Sequence, residues 1–204
     1  SYWRMKGQGS LAPLMPYSDI NKVIMDLAPE IVANVTNAPI LALSGATNPL
    51  YPHKKHLQDL WNAGISGINP FMMMIYGDAI MEQMKQIDMG WDREVEFVAE
   101  AHRMEMFSLA YAFTPDEARI LAEVGCPAIS SHVESTVGGM KGAKSNLTLD
   151  EATELSQRIF DAAKAVNPDI ILFAHGGPMK GPDEAKYVVS HTDAVGFIGG
   201  SAAE

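Results

Sequence analysis

Residues 107–132, FSLAYAFTPDEARILAEVGCPAISSH, decide how this chain is read. A short apolar run with aromatic residues, 107–111, is β-prone and is followed at once by a helix start. Thr114 is an N-cap residue, Pro115 suits the first helical position, and Asp116 and Glu117 place carboxylates where the helix dipole is positive. Ala118, Leu121 and Ala122 then recur at helical spacing. Gly125 and Pro127 punctuate the return to a second apolar run, 128–131, which ends at His132. Strand, helix and strand in so short a space, with both strands apolar on both faces, make a βαβ unit with parallel strands.

Working outward, the same rhythm fills residues 39–199. Strands are predicted at 40–44, 67–70, 107–111, 128–131, 170–174 and 194–198, and a helix over 18–35 precedes the first of them. Thr148 caps a further helix whose apolar face reads Ala152, Leu155, Ile159, Ala162, Ala163 and Val166, and Asn167-Pro168 stops it. No repeat, low-complexity tract or interdomain linker interrupts the pattern, so residues 1–204 read as one domain.

Six strand–helix units fit either an open doubly wound sheet or a parallel barrel. A dinucleotide-binding sheet wants G-x-G-x-x-G after its first strand, and Ser44-Gly45-Ala46-Thr47-Asn48-Pro49 does not supply it. The expectation is therefore an α/β chain forming most of a (β/α)8 TIM barrel, with its site at the C-terminal ends of the strands.

Composition narrows the function classes. Twenty-five acids against fifteen bases give a formal charge of −10, which repels duplex nucleic acid, and no basic cluster is denser than His53-Lys54-Lys55-His56. The single cysteine, Cys126, excludes an internal disulfide framework and is expected in the core. No apolar run approaches the roughly 18 to 20 residues of a membrane span, and no leader pattern opens the chain. An intracellular, cytoplasmic location without membrane contact is the expectation. Thirteen methionines, including Met72-Met73-Met74, are read as core filling.

Polar residues gather where the strand pattern ends: Asn48, Asn69, Tyr111, His132 with Glu134, and His175. Parallel strands carry such ends to one rim, so these are candidates for substrate contact. An imidazole titrates near neutrality, so His132 can serve as a metal ligand or as half of an acid–base pair oriented by Glu134. In His175-Gly176-Gly177-Pro178 and in Gly199-Gly200-Ser201, residues without a β-carbon admit an anion to backbone amides. Tight strand-to-helix turns are the alternative explanation for both. Thr136 to Lys144 has the composition of a closing loop, with Lys144 available to neutralise an anion, and an ordinary solvated loop fits equally well. Glu94 and Glu96 fall near a helix start, where carboxylates are favoured whatever the chemistry. The pair His53 and His56 is assigned to a solvated helix face.

Several separated motifs, taken together, resemble a known family. They are Arg4-Met5-x-Gly7-x-Gly9-Ser10-Leu11-Ala12; Pro16-Tyr17 with Asp19 and Asn21; Met89-Gly90-Trp91 with Glu94-Val95-Glu96; Gly138-Gly139 with Gly142-Ala143-Lys144; and His175-Gly176-Gly177-Pro178. In this order they resemble the phosphoenolpyruvate hydrolase-like TIM-barrel family. That family is grouped by fold with the phosphoenolpyruvate mutase and isocitrate lyase barrels and also forms the C-terminal domain of a plant virus-resistance protein.

The resemblance implies a small anionic substrate, an oxo-acid or a phosphorylated metabolite. It also implies a divalent cation, Mg2+ or Mn2+, lyase or hydrolase chemistry, no organic cofactor, and a homo-oligomer joined through outer helices. Taken together with the strand-end positions, it points to catalytic roles for His132, His175 and Glu94. With the strand-end and glycine-turn readings added, substrate contact is expected at Ser10, Asn48, Asn69, Tyr111, Lys144, Gly176, Gly177, Gly199, Gly200 and Ser201. By the same resemblance the chain starts after the second strand and stops after the eighth, lacking the first β-α-β and the last helix.

The chain also departs from the family pattern. Asn48 stands where a carboxylate is expected, Ala174 where a cysteine is, Asn69-Pro70-Phe71 where Asn-Phe-Pro is, and Val133-Glu134-Ser135 opens the stretch after His132. These departures leave a second reading, a non-catalytic barrel serving as an oligomeric or protein-interaction module.

Overall fold

A computed structural model describes residues 19–71, 73–137 and 145–200. The elements alternate as predicted: α1 (Ile20–Asn34), β1 (Leu41–Ser44), α2 (His53–Asn62), β2 (Gly67–Pro70), a 3-10 turn (Met73–Tyr76), α3 (Asp78–Lys85), α4 (Asp92–Arg103), β3 (Phe107–Ala112), α5 (Pro115–Glu123), β4 (Ala128–His132), α6 (Leu149–Val166), β5 (Ile171–His175), α7 (Pro182–Ser190) and β6 (Gly196–Phe197). Strands lie within one or two residues of their predicted places, except that β6 keeps only two of the five residues expected of it.

The strands follow chain order, β1-β2-β3-β4-β5-β6, in a six-stranded sheet. The pairs β1/β2, β2/β3, β4/β5 and β5/β6 are parallel. That order separates the two designs left open by the sequence. A doubly wound sheet reverses direction at a switch point, whereas a barrel is wound one way only. No reversal occurs here, and the arrangement is that of a partial (β/α)8 barrel.

Two compact units make up the chain. The first comprises described residues 19–110 with 124–127. Its core gathers Ala28, Ala42, Leu57, Leu60, Ile68, Phe97 and Ala101, with Met106 beneath them. Asp19 caps α1 by accepting the amides of Asn21 and Lys22, which satisfies donors that the first turn leaves orphaned. Buried Asn21 then holds Gly45 at the end of β1, accepting its N–H at 2.8 Å and donating to its carbonyl at 2.9 Å. Cys126 is fully buried beside Ser108, 3.5 Å from its hydroxyl.

One prediction in this unit fails. His56 does not lie on a solvated face: it is 2% exposed, packed 4.6 Å from Tyr51 and stacked 5.7 Å from Phe97, with both ring nitrogens lacking a hydrogen-bond partner. The neighbouring Lys54 and Lys55 made the segment look polar, but the period of α2 turns Leu57, Leu60 and His56 inward together.

The second unit comprises described residues 111–123, 128–137 and 145–200. Thr148 caps α6 with a full capping box, accepting the amide of Glu151 while the Glu151 carboxylate accepts the amide of Thr148. The buried face of α6 is Ala152, Thr153, Ser156, Ile159, Phe160 and Ala163. It is turned from the predicted stripe, because two polar residues find local partners. Ser156 meets Ser131 of β4 at 2.9 Å, and Thr153 donates to the Leu149 carbonyl at 2.7 Å. Val166, predicted inside, ends the helix 38% exposed.

Candidate functional site

In the second unit, β4 and β5 run in a register that makes His132 and His175 direct partners across the ladder. Neighbouring parallel strands lie about 4.8 Å apart and equivalent side chains share a face, so this pairing alone brings the imidazoles together. Their ring centroids are 4.8 Å apart, edge to face. Both residues end their strands and both are buried, at 2% and 8% exposure.

Aromatic rings from β3 and its exit enclose the pair. Tyr111 lies 5.4 Å from His132 and 5.2 Å from His175, and Phe113 stacks on His132 at 4.4 Å. Tyr111 lies in β3 and Phe113 in the bend just after it. Phe113 is held from below by Glu117 of α5, whose carboxylate accepts its amide at 2.7 Å. Thr114, the predicted N-cap, accepts the amide of Glu117 in return.

The two histidines differ in their second ring atoms. Nδ1 of His175 lies 2.7 Å from the Ile198 carbonyl that follows β6. Nδ1 of His132 is buried without any hydrogen-bond partner. Burial and, after it, the neighbouring His175 hold the His132 imidazole well below the ordinary histidine range, so its neutral form prevails at neutral pH.

The Gly176-Gly177 turn is shaped by close packing. Both residues have positive φ, +93° and +53°, and a β-carbon on Gly176 would stand 2.2 Å from the Glu134 carbonyl oxygen. That same carbonyl accepts the Gly177 amide at 2.8 Å, and Val137 donates to the Gly177 carbonyl at 3.1 Å. The turn thus grips the chain leaving β4, which is the tight-turn alternative recognised in the sequence. Gly199 is exposed, and a methyl group there would make ordinary contact with Phe197.

Glu134 does not orient His132 in the manner expected. Its carboxylate accepts the Ser145 hydroxyl and the Asn146 amide, tying together the residues on either side of 138–144. Ser10, Lys144 and Ser201 lie outside the described residues, as do Met72 and most of the predicted closing loop.

Asn48, Asn69 and Glu94 belong to the first unit. Asn48 accepts the Leu50 amide at 3.0 Å in a local turn. Asn69 donates to the Leu109 carbonyl of β3. Glu94 is 1% exposed in the first turn of α4, whereas the Glu96 side chain is largely exposed and faces Arg93.

Among the described residues no three His, Cys, Asp or Glu side chains converge as metal ligands would. The described groups packed on His132 and His175 are the rings of Tyr111 and Phe113 and the imidazoles themselves. No helix among the described residues is long and apolar enough to cross a membrane.

Six parallel strands in unreversed order, alternating with helices and carrying polar residues at their C-terminal ends, define a protein of the (β/α)8-barrel class. The chain belongs to the phosphoenolpyruvate hydrolase-like family, whose model matches residues 1–204. It is 38% identical over 204 residues to the ToMV susceptible protein tm-1(GCR26) of Solanum lycopersicum, covering 99% of this chain and 27% of that protein. A putative transcriptional regulatory protein, y4pA, of Sinorhizobium fredii is 28% identical over 199 residues, 97% of this chain and 33% of that one. The chain therefore spans about a quarter to a third of the length of these relatives.

Among solved structures, a chain of the tryptophan synthase complex from Pyrococcus furiosus superposes with a TM-score of 0.56 at 16% identity, covering 98% of this chain and 67% of that one. Hydroxymethylglutaryl-CoA lyase from Pseudomonas aeruginosa gives 0.50 at 16% identity, with 83% and 56% covered. These likenesses concern the fold.

Proposed function

We propose that this barrel binds a small anionic oxo-acid or phosphorylated metabolite at the C-terminal ends of β4 and β5 and acts on it by lyase or hydrolase chemistry. His132 and His175 serve as the acid–base residues. The observation that carries this reading is the juxtaposition of two buried imidazoles in ladder register, one of them with an unpartnered buried nitrogen. Burying an unpaired polar atom costs free energy, and this one lies beside a second buried imidazole at the strand ends. Barrel sites also lie at this end of the strands.

Tyr111 contributes a wall of the site. Gly199, Gly200 and Ser201 are assigned to anion binding after the last strand, and Lys144 to neutralising the anion's charge. Gly176 and Gly177 shape the floor. Mg2+ or Mn2+ enters as an added component of the assay, with no step assigned to it.

The test is turnover and thermal shift of the purified full-length protein with phosphoenolpyruvate, oxaloacetate and phosphonopyruvate, each with and without Mg2+ or Mn2+. Turnover of one of them supports the reading. No turnover and no shift with any of them removes it.

A second reading, a non-catalytic module within a larger assembly, is favoured by one observation: the chain corresponds to 27% of tomato proteins named for virus susceptibility or resistance rather than for a reaction. Under it, His175→Ala leaves the biological phenotype intact, and loss of phenotype with the fold preserved counts against it. Both readings include a homo-oligomer. Light scattering showing a monomer at micromolar concentration would contradict that part.

A further inference from the structure

The orientation of the His132 ring is set by its neighbours. The second side-chain torsion of a histidine has only broad minima of its own, so what packs on the imidazole decides which way it faces. Tyr111 and His175 meet the ring at steep angles, 75° and 74°. Among the described rings Phe113 alone lies flat on it, at 21° with the centroids 4.4 Å apart.

Phe113 is itself clamped, by a helix cap put to a second use. The pattern Thr-x-x-Glu stands at two helix starts, Thr114 to Glu117 and Thr148 to Glu151. In both, the threonine hydroxyl accepts the amide of the glutamate. In α6 the carboxylate closes the capping box on the amide of Thr148. In α5 the Glu117 carboxylate reaches one residue further back and accepts the amide of Phe113 at 2.7 Å. Glu117 is 6% exposed, so this charge-assisted bond is shielded from water. Phe113 lies in the bend between β3 and α5, outside the regular bonding of either element.

We infer that Phe113 is a positioning residue for His132, and that Glu117, by holding the Phe113 amide, locks the orientation of the imidazole. A catalytic ring has to be kept within about 10–20° of its working direction, and a flat partner on a clamped backbone does this without any polar contact. The catalytic consequence rests on the functional reading above; the placement of the ring does not.

Carbon–proton correlation spectra of full-length protein labelled at histidine carbon test the placement. His132→Asn identifies the His132 ring signals by their loss. Phe113→Leu is expected to remove the upfield displacement that a stacked phenyl ring imposes on them, and Phe113→Tyr, which keeps a ring, to retain it. Glu117→Ala leaves the phenyl ring in the chain but frees its amide, and is expected to move the His132 signals in the same direction as Phe113→Leu. Glu117→Gln, which keeps an acceptor oxygen, is expected to leave them near their native positions. Signals unmoved in Glu117→Ala, or moved as far in Glu117→Gln, overturn the inference. Should Glu117→Ala fail to fold, the two Phe113 variants decide.

Kinetics with whichever of phosphoenolpyruvate, oxaloacetate and phosphonopyruvate the native protein turns over supply the second arm. Phe113→Leu is expected to lower kcat roughly fivefold, the worth of one aromatic pair, with KM within about twofold and kcat recovered in Phe113→Tyr. A raised KM at unchanged kcat overturns the positioning role and makes Phe113 a wall of the binding site. Absence of turnover by the native protein contradicts the functional reading, while the spectra still decide whether Phe113 holds His132.

Discussion

Asn21 grips the peptide group of Gly45 with both ends of its amide, so that α1 is fastened to the exit of β1 by a single side chain. Asn21 is 4% exposed, which shields its amide from solvent. Asn21→Ala is expected to cost about 1–3 kcal/mol, because the half-buried N–H and carbonyl of Gly45 each lose a partner. Asn21→Asp keeps the acceptor but turns an oxygen on the Gly45 carbonyl, and is expected to be at least as damaging. Urea denaturation of the three proteins checks both; a loss under about 0.5 kcal/mol for either would contradict the clamp.

Gly176 and Gly199 were equivalent in the sequence, as small residues beside a strand end. They are not equivalent in the fold. Gly176→Ala forces a β-carbon into the Glu134 carbonyl at positive φ, with an expected cost of roughly 2–4 kcal/mol. Gly199→Ala meets only an ordinary contact and is expected to stay within about 0.5 kcal/mol of the native protein. Thermal and urea unfolding of the pair measures the difference.

Stability is expected to fall with acidification from about pH 6.5. Burial lowers His56 to about 4 and holds His132 well below 6.5. As pH drops through 6.5, the unfolded chain takes up protons that the folded chain refuses. The unfolded state is thereby favoured, by about 1.4 kcal/mol per pH unit for each such histidine. For His56 this continues until about pH 4. His56→Leu removes its share of the slope and, having no orphaned nitrogens to bury, is expected to be as stable as the native protein at pH 7 or more so. Urea midpoints between pH 7.5 and 5 decide; an unchanged slope in the variant would refute the assignment.

Glu134 is expected to act as a clasp. Its carboxylate holds Ser145 and Asn146 at the approach to α6, while its carbonyl is held by Gly177. Glu134→Ala should raise amide hydrogen exchange at Asn146 and Leu147 about tenfold, the equivalent of one charge-assisted hydrogen bond. Exchange within β4 should stay unchanged. Unaltered exchange at both positions would show that the clasp holds nothing.

The sequence by itself determined the βαβ rhythm, the helix caps and the strand ends, because each is a local matter. Thr148 with Glu151 caps a helix wherever that helix lies, and alternating apolar runs are buried on both faces whatever sheet receives them. It also marked His132, His175 and Tyr111 as strand-end residues. Only the tertiary structure decided the rest. That His132 and His175 are ladder partners follows from the register of β4 on β5, set by packing between residues more than forty positions apart. Phe113 and the Ile198 carbonyl escaped notice because an apolar side chain and a main-chain oxygen carry no chemical signature until folding sets them against an imidazole. His56 was misplaced for the converse reason. Its polar neighbours describe the outside of α2, and only the arrival of Phe97 from a later helix, across from the nearby Tyr51, makes its own side the inside.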